Sequence, residues 1–215
     1  MDFFNNASDA NRTLNFENII PLKLLRDPAY ITPTPETSWD WINQGSARAT
    51  DNNLTISFWQ PAQANRVRGK SRPLSNPSLF DVRMVLKAFP TYDGANGGVF
   101  GLSLFSSTNE VVLFSTPFVW GGALIQFYSS PTAAPVNISA INGGWGYGIN
   151  ELWYRIAADN VNLIFYLSLD GLEWIQIYSE PIGTSIIPTK WGFAGNAQSA
   201  TAQMSGVVYS AQQTV

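Results

Sequence analysis

The 215-residue chain contains neither cysteine nor histidine. Without cysteine there are no disulfides and no thiolate metal sites, so stability has to come from packing. Without histidine the commonest general base and the usual ligand for zinc, copper and iron are missing. Ser-His-Asp and Cys-His nucleophile systems are therefore impossible. Charge is scarce as well, at 13% of residues, about half the usual share. Much of the surface must then be Ser, Thr, Asn, Gln and Gly, a composition suited to packing against copies or partners. Twelve Lys and Arg stand against 15 Asp and Glu, a formal charge of -3, which excludes a general attraction to nucleic acid because phosphate neutralisation needs clustered cations. One short basic patch, Arg66, Arg68, Lys70 and Arg72, is interleaved with Gly69, Ser71 and Pro73 and reads as a solvated or partner-facing loop. No apolar run approaches the roughly 20 residues that span a bilayer, so no membrane partner is expected. Residues 1–10 lack the basic flank and apolar stretch of a signal peptide, which points to a start in a cytoplasm and makes the sequons at Asn6, Asn11, Asn53 and Asn137 chance matches.

Carboxylates could still act in pairs, as glycoside hydrolysis requires. A sandwich hydrolase would show acidic residues alternating along one strand. Here Asp40, Asp51, Asp81, Asp93, Glu110, Glu151, Asp159, Asp170, Glu173 and Glu180 fall mostly at turns and strand ends. The nearest pair, Asp170 and Glu173, flanks a turn. Loops such as Asp51-Asn52-Asn53, Asp93 to Asn96 and Asp159-Asn160 offer oxygens to calcium, but none gathers several acidic oxygens at alternate positions. The expectation is a chain that is not an enzyme, with no catalytic residue, no metal and no cofactor.

What is present is alternation. Val82, Met84, Leu86 and Ala88 alternate with Arg83, Val85 and Lys87, a period of two that turns one apolar face inward. The pattern returns in Val161, Leu163, Phe165, Leu167 and Leu169, which reads as a central strand. Further strands are expected at Leu54–Trp59, Val99–Phe105, Val111–Phe118, Ala123–Tyr128, Leu152–Ala157, Trp174–Tyr178, Trp191–Ala194 and Ala202–Tyr209. Asp93-Gly94, Asn96-Gly97-Gly98, Asn142-Gly143-Gly144 and Asp170-Gly171 supply hairpin turns between them. Short strands spaced by about 8–12 residues, with no long amphipathic helix, define an all-β, antiparallel two-sheet sandwich or jelly roll over residues 39–215.

Residues 1–38 differ. A polar lead gives way to Ile19, Ile20, Leu22, Leu24, Leu25, Tyr30 and Ile31, then to Pro33 and Pro35, which favour an extended arm. Fixing a backbone residue costs about 1–2 kcal/mol and burying a large apolar side chain returns about 1.5–3. The strip therefore needs a surface to lie on. That surface is either its own sandwich or another subunit, the second being the reading adopted, with those seven residues as partner-binding positions.

Eight tryptophans are the most suggestive feature of the composition. Trp39, Trp41, Trp59, Trp153, Trp174 and Trp191 look like core or rim residues. Trp120, Tyr128, Trp145 and Tyr147 lie in or beside Gly-rich segments and are the candidates for an exposed sugar-stacking platform.

Two segments carry a family likeness. One is Trp41-Ile-Asn-Gln-Gly-Ser-Ala-Arg-Ala-Thr-Asp51. The other runs Leu152-Trp-Tyr-Arg-Ile156, Ile164-Phe-Tyr-Leu-Ser-Leu-Asp-Gly-Leu-Glu-Trp174 and Ile177-Tyr-Ser-Glu180. Together they resemble concanavalin A-like (LamG-like) jelly-roll domains, particularly those of bacteriophage virion proteins, over about Trp39 to Val215. Ser168-x-Asp170-Gly171-x-x-Trp174 also looks like the Asp-box turn of sialidases, and a hairpin with Trp174 packed beneath it explains the same residues. The metal-binding His and Asp residues of the lectins and the Glu-x-Asp-x-Glu strand of the glucanases are missing. The resemblance thus implies the fold and a place on a virus particle assembled in a host cytoplasm. The expected role is a capsid decoration or cement protein bound to the major capsid protein or other virion subunits, compatible with a trimer or other homo-oligomer. The alternative is a receptor-binding or carbohydrate-binding module of a tail or fibre, with a glycan as partner.

Overall fold

The computed structural model describes residues 35–90, 98–116, 122–141 and 151–214. The arm positions Ile19, Ile20, Leu22, Leu24, Leu25, Tyr30 and Ile31, and the aromatics Trp120, Trp145 and Tyr147, lie outside the described residues. A 3₁₀ turn at Glu36–Ser38 leads into β1 (Asp40–Ile42), β2 (Arg48–Asp51), β3 (Ile56–Gln60), β4 (Val67–Pro73), β5 (Leu79–Pro90), β6 (Val99–Phe105) and β7 (Val111–Ser115). There follow β8 (Ala123–Tyr128), β9 (Val136–Ile141), β10 (Leu152–Asp159), β11 (Asn162–Ser168), β12 (Ile175–Pro181), β13 (Lys190–Asn196) and β14 (Met204–Thr214). They form two seven-stranded sheets, β1-β4-β13-β6-β7-β8-β9 and β12-β11-β10-β5-β14-β3-β2. The strand pairings are antiparallel throughout. This is the expected two-sheet sandwich, consistent with a jelly roll.

Alternation sets which side of each strand meets the core. Val82, Met84, Leu86 and Ala88 of β5 and Leu152, Tyr154, Ile156 and Ala158 of β10 are buried between the sheets, which turns Arg83 and Arg155 to the outer face. Across the gap the inward residues include Phe100, Leu102, Leu104, Val112, Phe114, Trp191 and Phe193. Aromatic rings knit the layers together. Phe114 of β7 meets Tyr154 edge-on at 5.2 Å and Phe165 of β11 at 5.6 Å, and Phe58 of β3 stacks on Phe100 at 5.4 Å. Each large side chain buried here contributes about 1.5–3 kcal/mol, which is how a chain without disulfides holds together.

The first sheet is buried on both faces in its middle, so β6 and β7 read as continuous apolar runs rather than alternating ones. Val67, Val99, Phe105, Val111, Leu113, Leu124, Tyr128 and Ala194 form a second cluster, separate from the interlayer core. The sheet curls about it. The Val67 amide of β4 donates to the Pro131 carbonyl beyond β8 at 2.8 Å, although β4 and β8 lie four strands apart.

Three expectations are corrected. Arg68, Lys70 and Arg72 of the basic patch belong not to a solvated or partner-facing loop but to strand β4, which Arg66 precedes; Arg68 is 6% and Lys70 2% exposed. Its cations face inward because tryptophans receive them: Arg72 lies 4.5 Å from both the Trp39 and Trp191 rings, and Lys70 4.9 Å from Trp41. Lys70 also donates to the carbonyls of Glu36 and Trp39, at 2.8 and 3.0 Å, and pairs with the Glu36 carboxylate. The Glu36–Ser38 turn, counted with the arm, is thereby built into the sandwich. Strand β11, read as central, is second from an edge, and β5 holds the centre of its sheet. Strands β1, β2 and β9 were not anticipated either, being short or largely solvated. The tryptophans behave as core or rim residues: Trp39, Trp153 and Trp191 are buried, and Trp41, Trp59 and Trp174 half-buried.

Candidate functional site

The outer face of the second sheet gathers the described groups best suited to hold a ligand. Its local architect is the turn between β11 and β12. The Ser168 hydroxyl accepts from the amides of Asp170 and Gly171, at 3.2 and 2.8 Å, and donates to Asp170 Oδ1 at 2.9 Å. Asp170 Oδ1 accepts in turn from the Leu172 and Glu173 amides at 2.9 and 3.0 Å. The amides of Glu173 and Leu172 hold the Asp170 carboxyl below its ordinary value. Gly171 has φ +78°, and a β-carbon there would sit 2.7 Å from the Trp153 indole. The turn therefore closes over Trp153 and delivers Trp174 edge-on to it, with centroids 6.5 Å apart.

Beside Trp174, Arg83 of β5 stands directly opposite Arg155 of β10, and Arg155 opposite Tyr166 of β11. Like charges so placed repel, and Asp81 offsets the repulsion. Arg83 Nε and Nη2 donate to Asp81 Oδ1 and Oδ2 at 3.1 and 2.8 Å. Arg155 Nε donates to both carboxylate oxygens at 3.1 Å, and its Nη2 lies 2.9 Å from Oδ2. Burial alone would raise the Asp81 pKa, but hydrogen bonds from Arg83 and then Arg155 outweigh it and hold the carboxyl below its usual value. The bond to Asp81 raises Arg83 in return. Trp174 lies 5.7 Å from the Arg83 guanidinium and 5.8 Å from that of Arg155, which also sits 4.7 Å from the Tyr166 ring.

The cluster is reachable: the Arg83, Arg155 and Asp81 side chains are 29%, 24% and 14% exposed. Trp174 and Tyr166 are half-buried, and Leu172 and Ile175 beside Trp174 are exposed. Chemically the face offers two aromatic rings for the apolar side of a ligand and guanidinium N–H groups for its oxygens. Asp81 is held ionised, which suits it to orient the arginines and not to give up a proton at neutral pH.

Of the aromatics expected to stack sugars, Tyr128 is described, and the expectation of an exposed ring is corrected. It is fully buried in the second cluster, donating to Gln126 Oε1 at 2.9 Å and accepting from Asn196 Nδ2 at 3.2 Å. Burial pushes its pKa up to about 12. Asp81, Arg83, Arg155 and Tyr166 were missed as site residues. Their signal was present: arginines occupy the outward phase of strands whose inward phase is wholly apolar.

The architecture, a sandwich of two seven-stranded antiparallel sheets, is consistent with the concanavalin A-like fold. No family model and no curated protein sequence matches the chain. Solved structures do. A functionally unknown protein from Saccharomyces cerevisiae is similar with a TM-score of 0.63 and 11% identity, over 85% of this chain and 98% of that one. The carbohydrate binding module CBM66 from Bacillus subtilis is similar with a TM-score of 0.54 and 11% identity, over 86% of this chain and 99% of the other. The GH43 protein BlXynB from Bacillus licheniformis gives a TM-score of 0.58 and 13% identity over 84% of this chain, which spans only 37% of that protein. These likenesses support the fold and lend nothing to a virion setting.

Proposed function

We propose that the chain is a non-catalytic glycan-binding module whose ligand lies on the outer face of the second sheet. The observation that carries the reading is the half-exposed Trp174, locked by the Ser168–Asp170 turn beside the Arg83–Asp81–Arg155 cluster. Sugar rings present an apolar face and a rim of hydroxyls, and such a surface serves both. The similarity to a carbohydrate binding module over nearly its whole length supports the same reading. A tail or fibre setting, implied by the sequence resemblance, is compatible with such a module. The shell-cement role rests on the strip Ile19–Ile31 and on no described contact.

The test is a glycan array probed with the full chain, followed by titration of the hits against Trp174→Ala. Truncating a central tryptophan costs more than about 1 kcal/mol, so affinity should fall about fivefold or more while the melting temperature stays near wild type. Unchanged affinity in the variant, or no hit at millimolar glycan, refutes the reading.

A further inference from the structure

We infer that this face selects saccharides bearing a carboxylate, an inference that rests on the glycan reading and narrows it. Asp81 is a single carboxylate shared by two guanidiniums, so the three side chains together carry a net charge of +1 inside a chain whose formal charge is -3. Both arginines spend the same edge on Asp81, namely Nε and Nη2. Their Nη1 groups make no hydrogen bond to any described residue, and with side chains 29% and 24% exposed they stand within reach of solvent.

Two guanidiniums directly opposite one another across β5 and β10, oriented by a common anion, form a fixed donor pair for a second anion. Aromatic faces behind both cations hold them in place. Trp174 flanks the pair at 5.7 and 5.8 Å, where a pyranose ring can stack while its carboxylate reaches the guanidiniums. The groups facing the pair from β14 add no charge. Gln212 stands opposite Arg83 and Thr214 opposite Asp81 on β14, both neutral, and Lys87 follows on β5 with Val207 opposite it. The exposed Glu173 is carried by the turn, which fixes its amide on Asp170.

Calorimetric titration of the full chain with trigalacturonate, with its trimethyl ester and with oligoglutamate tests this. The acid should bind at least tenfold more tightly than the ester, with an advantage that shrinks as salt is raised. Arg155→Gln should erase the difference between acid and ester while leaving residual ester binding. Arg155→Lys, which keeps the charge, should retain part of the preference for the acid and so guards against a mere folding defect in the Gln variant. Equal affinity for acid and ester overturns the selectivity and leaves the glycan reading standing. Binding of neither overturns both. Oligoglutamate bound as tightly as the uronate overturns the saccharide assignment in favour of an acidic peptide.

Discussion

Replacing Lys70 by Met removes a cation that is 2% exposed from beneath the entry to the sandwich. The change strips the donor from the Glu36 and Trp39 carbonyls, leaves the Glu36 carboxylate unpaired and takes the charge off the Trp41 ring. Breaking a buried ion pair from one side costs about 3–5 kcal/mol. The Glu36 side chain is 16% exposed and regains some water, and Met recovers some packing, so the lower end of that range, about 3 kcal/mol, is expected. With a urea slope of about 2 kcal/mol per M for a chain of this size, the midpoint should fall by about 1.5 M, read by tryptophan fluorescence. Adding Glu36→Gln removes the stranded charge and should recover part of the loss, a positive coupling in a double-mutant cycle. A midpoint shift below about 0.3 M, or strictly additive single variants, would refute the argument that a buried, paired lysine closes this edge.

Gly171→Ala meets both the positive φ and the Trp153 indole, so it should cost about 2–4 kcal/mol, lower the melting temperature by several degrees and weaken glycan binding because Trp174 moves; an unchanged melt would contradict the turn geometry. Phe165→Ala empties a fully buried site between Phe114 and Tyr178 and should cost about 3–5 kcal/mol by urea titration. Because the folded Asp81 pKa lies below its ordinary value of 3.8, its stabilising effect is complete above that value and lost as pH falls through the folded one. The gap in urea midpoint between wild type and Asp81→Asn should thus be constant well above pH 3.8 and shrink as pH falls below it. A gap independent of pH would show that the carboxylate is not held by the arginines.

Strands that are continuous apolar runs were legible from residues alone. Val99–Phe105 and Ala123–Tyr128 begin and end where expected, because apolar runs bounded by turn chemistry leave few alternatives. Strand β4 was illegible for the opposite reason. It alternates faithfully, but its cations take the inward phase and Gly69 and Ser71 the outward one, and only the fold brings up the tryptophans that accept them. The turn was readable as a hairpin, but the tryptophan beneath it is Trp153 and not the expected Trp174. The partners of Trp174 were not readable, since Asp81 and Arg155 meet across 74 positions of sequence. No local pattern encodes that register.

Strands β13 and β14 each sit inside a sheet, β13 between β4 and β6 and β14 between β5 and β3. Until residues 190–214 emerge from the ribosome, each sheet exists as two unjoined pieces whose apolar flanks and strand edges lie open. The nascent molecule must wait for these two strands before either layer closes. A chaperone that shields those edges, or a separately supplied peptide spanning β13 and β14, should therefore control the yield of native protein more strongly than any change on the outer face of the second sheet.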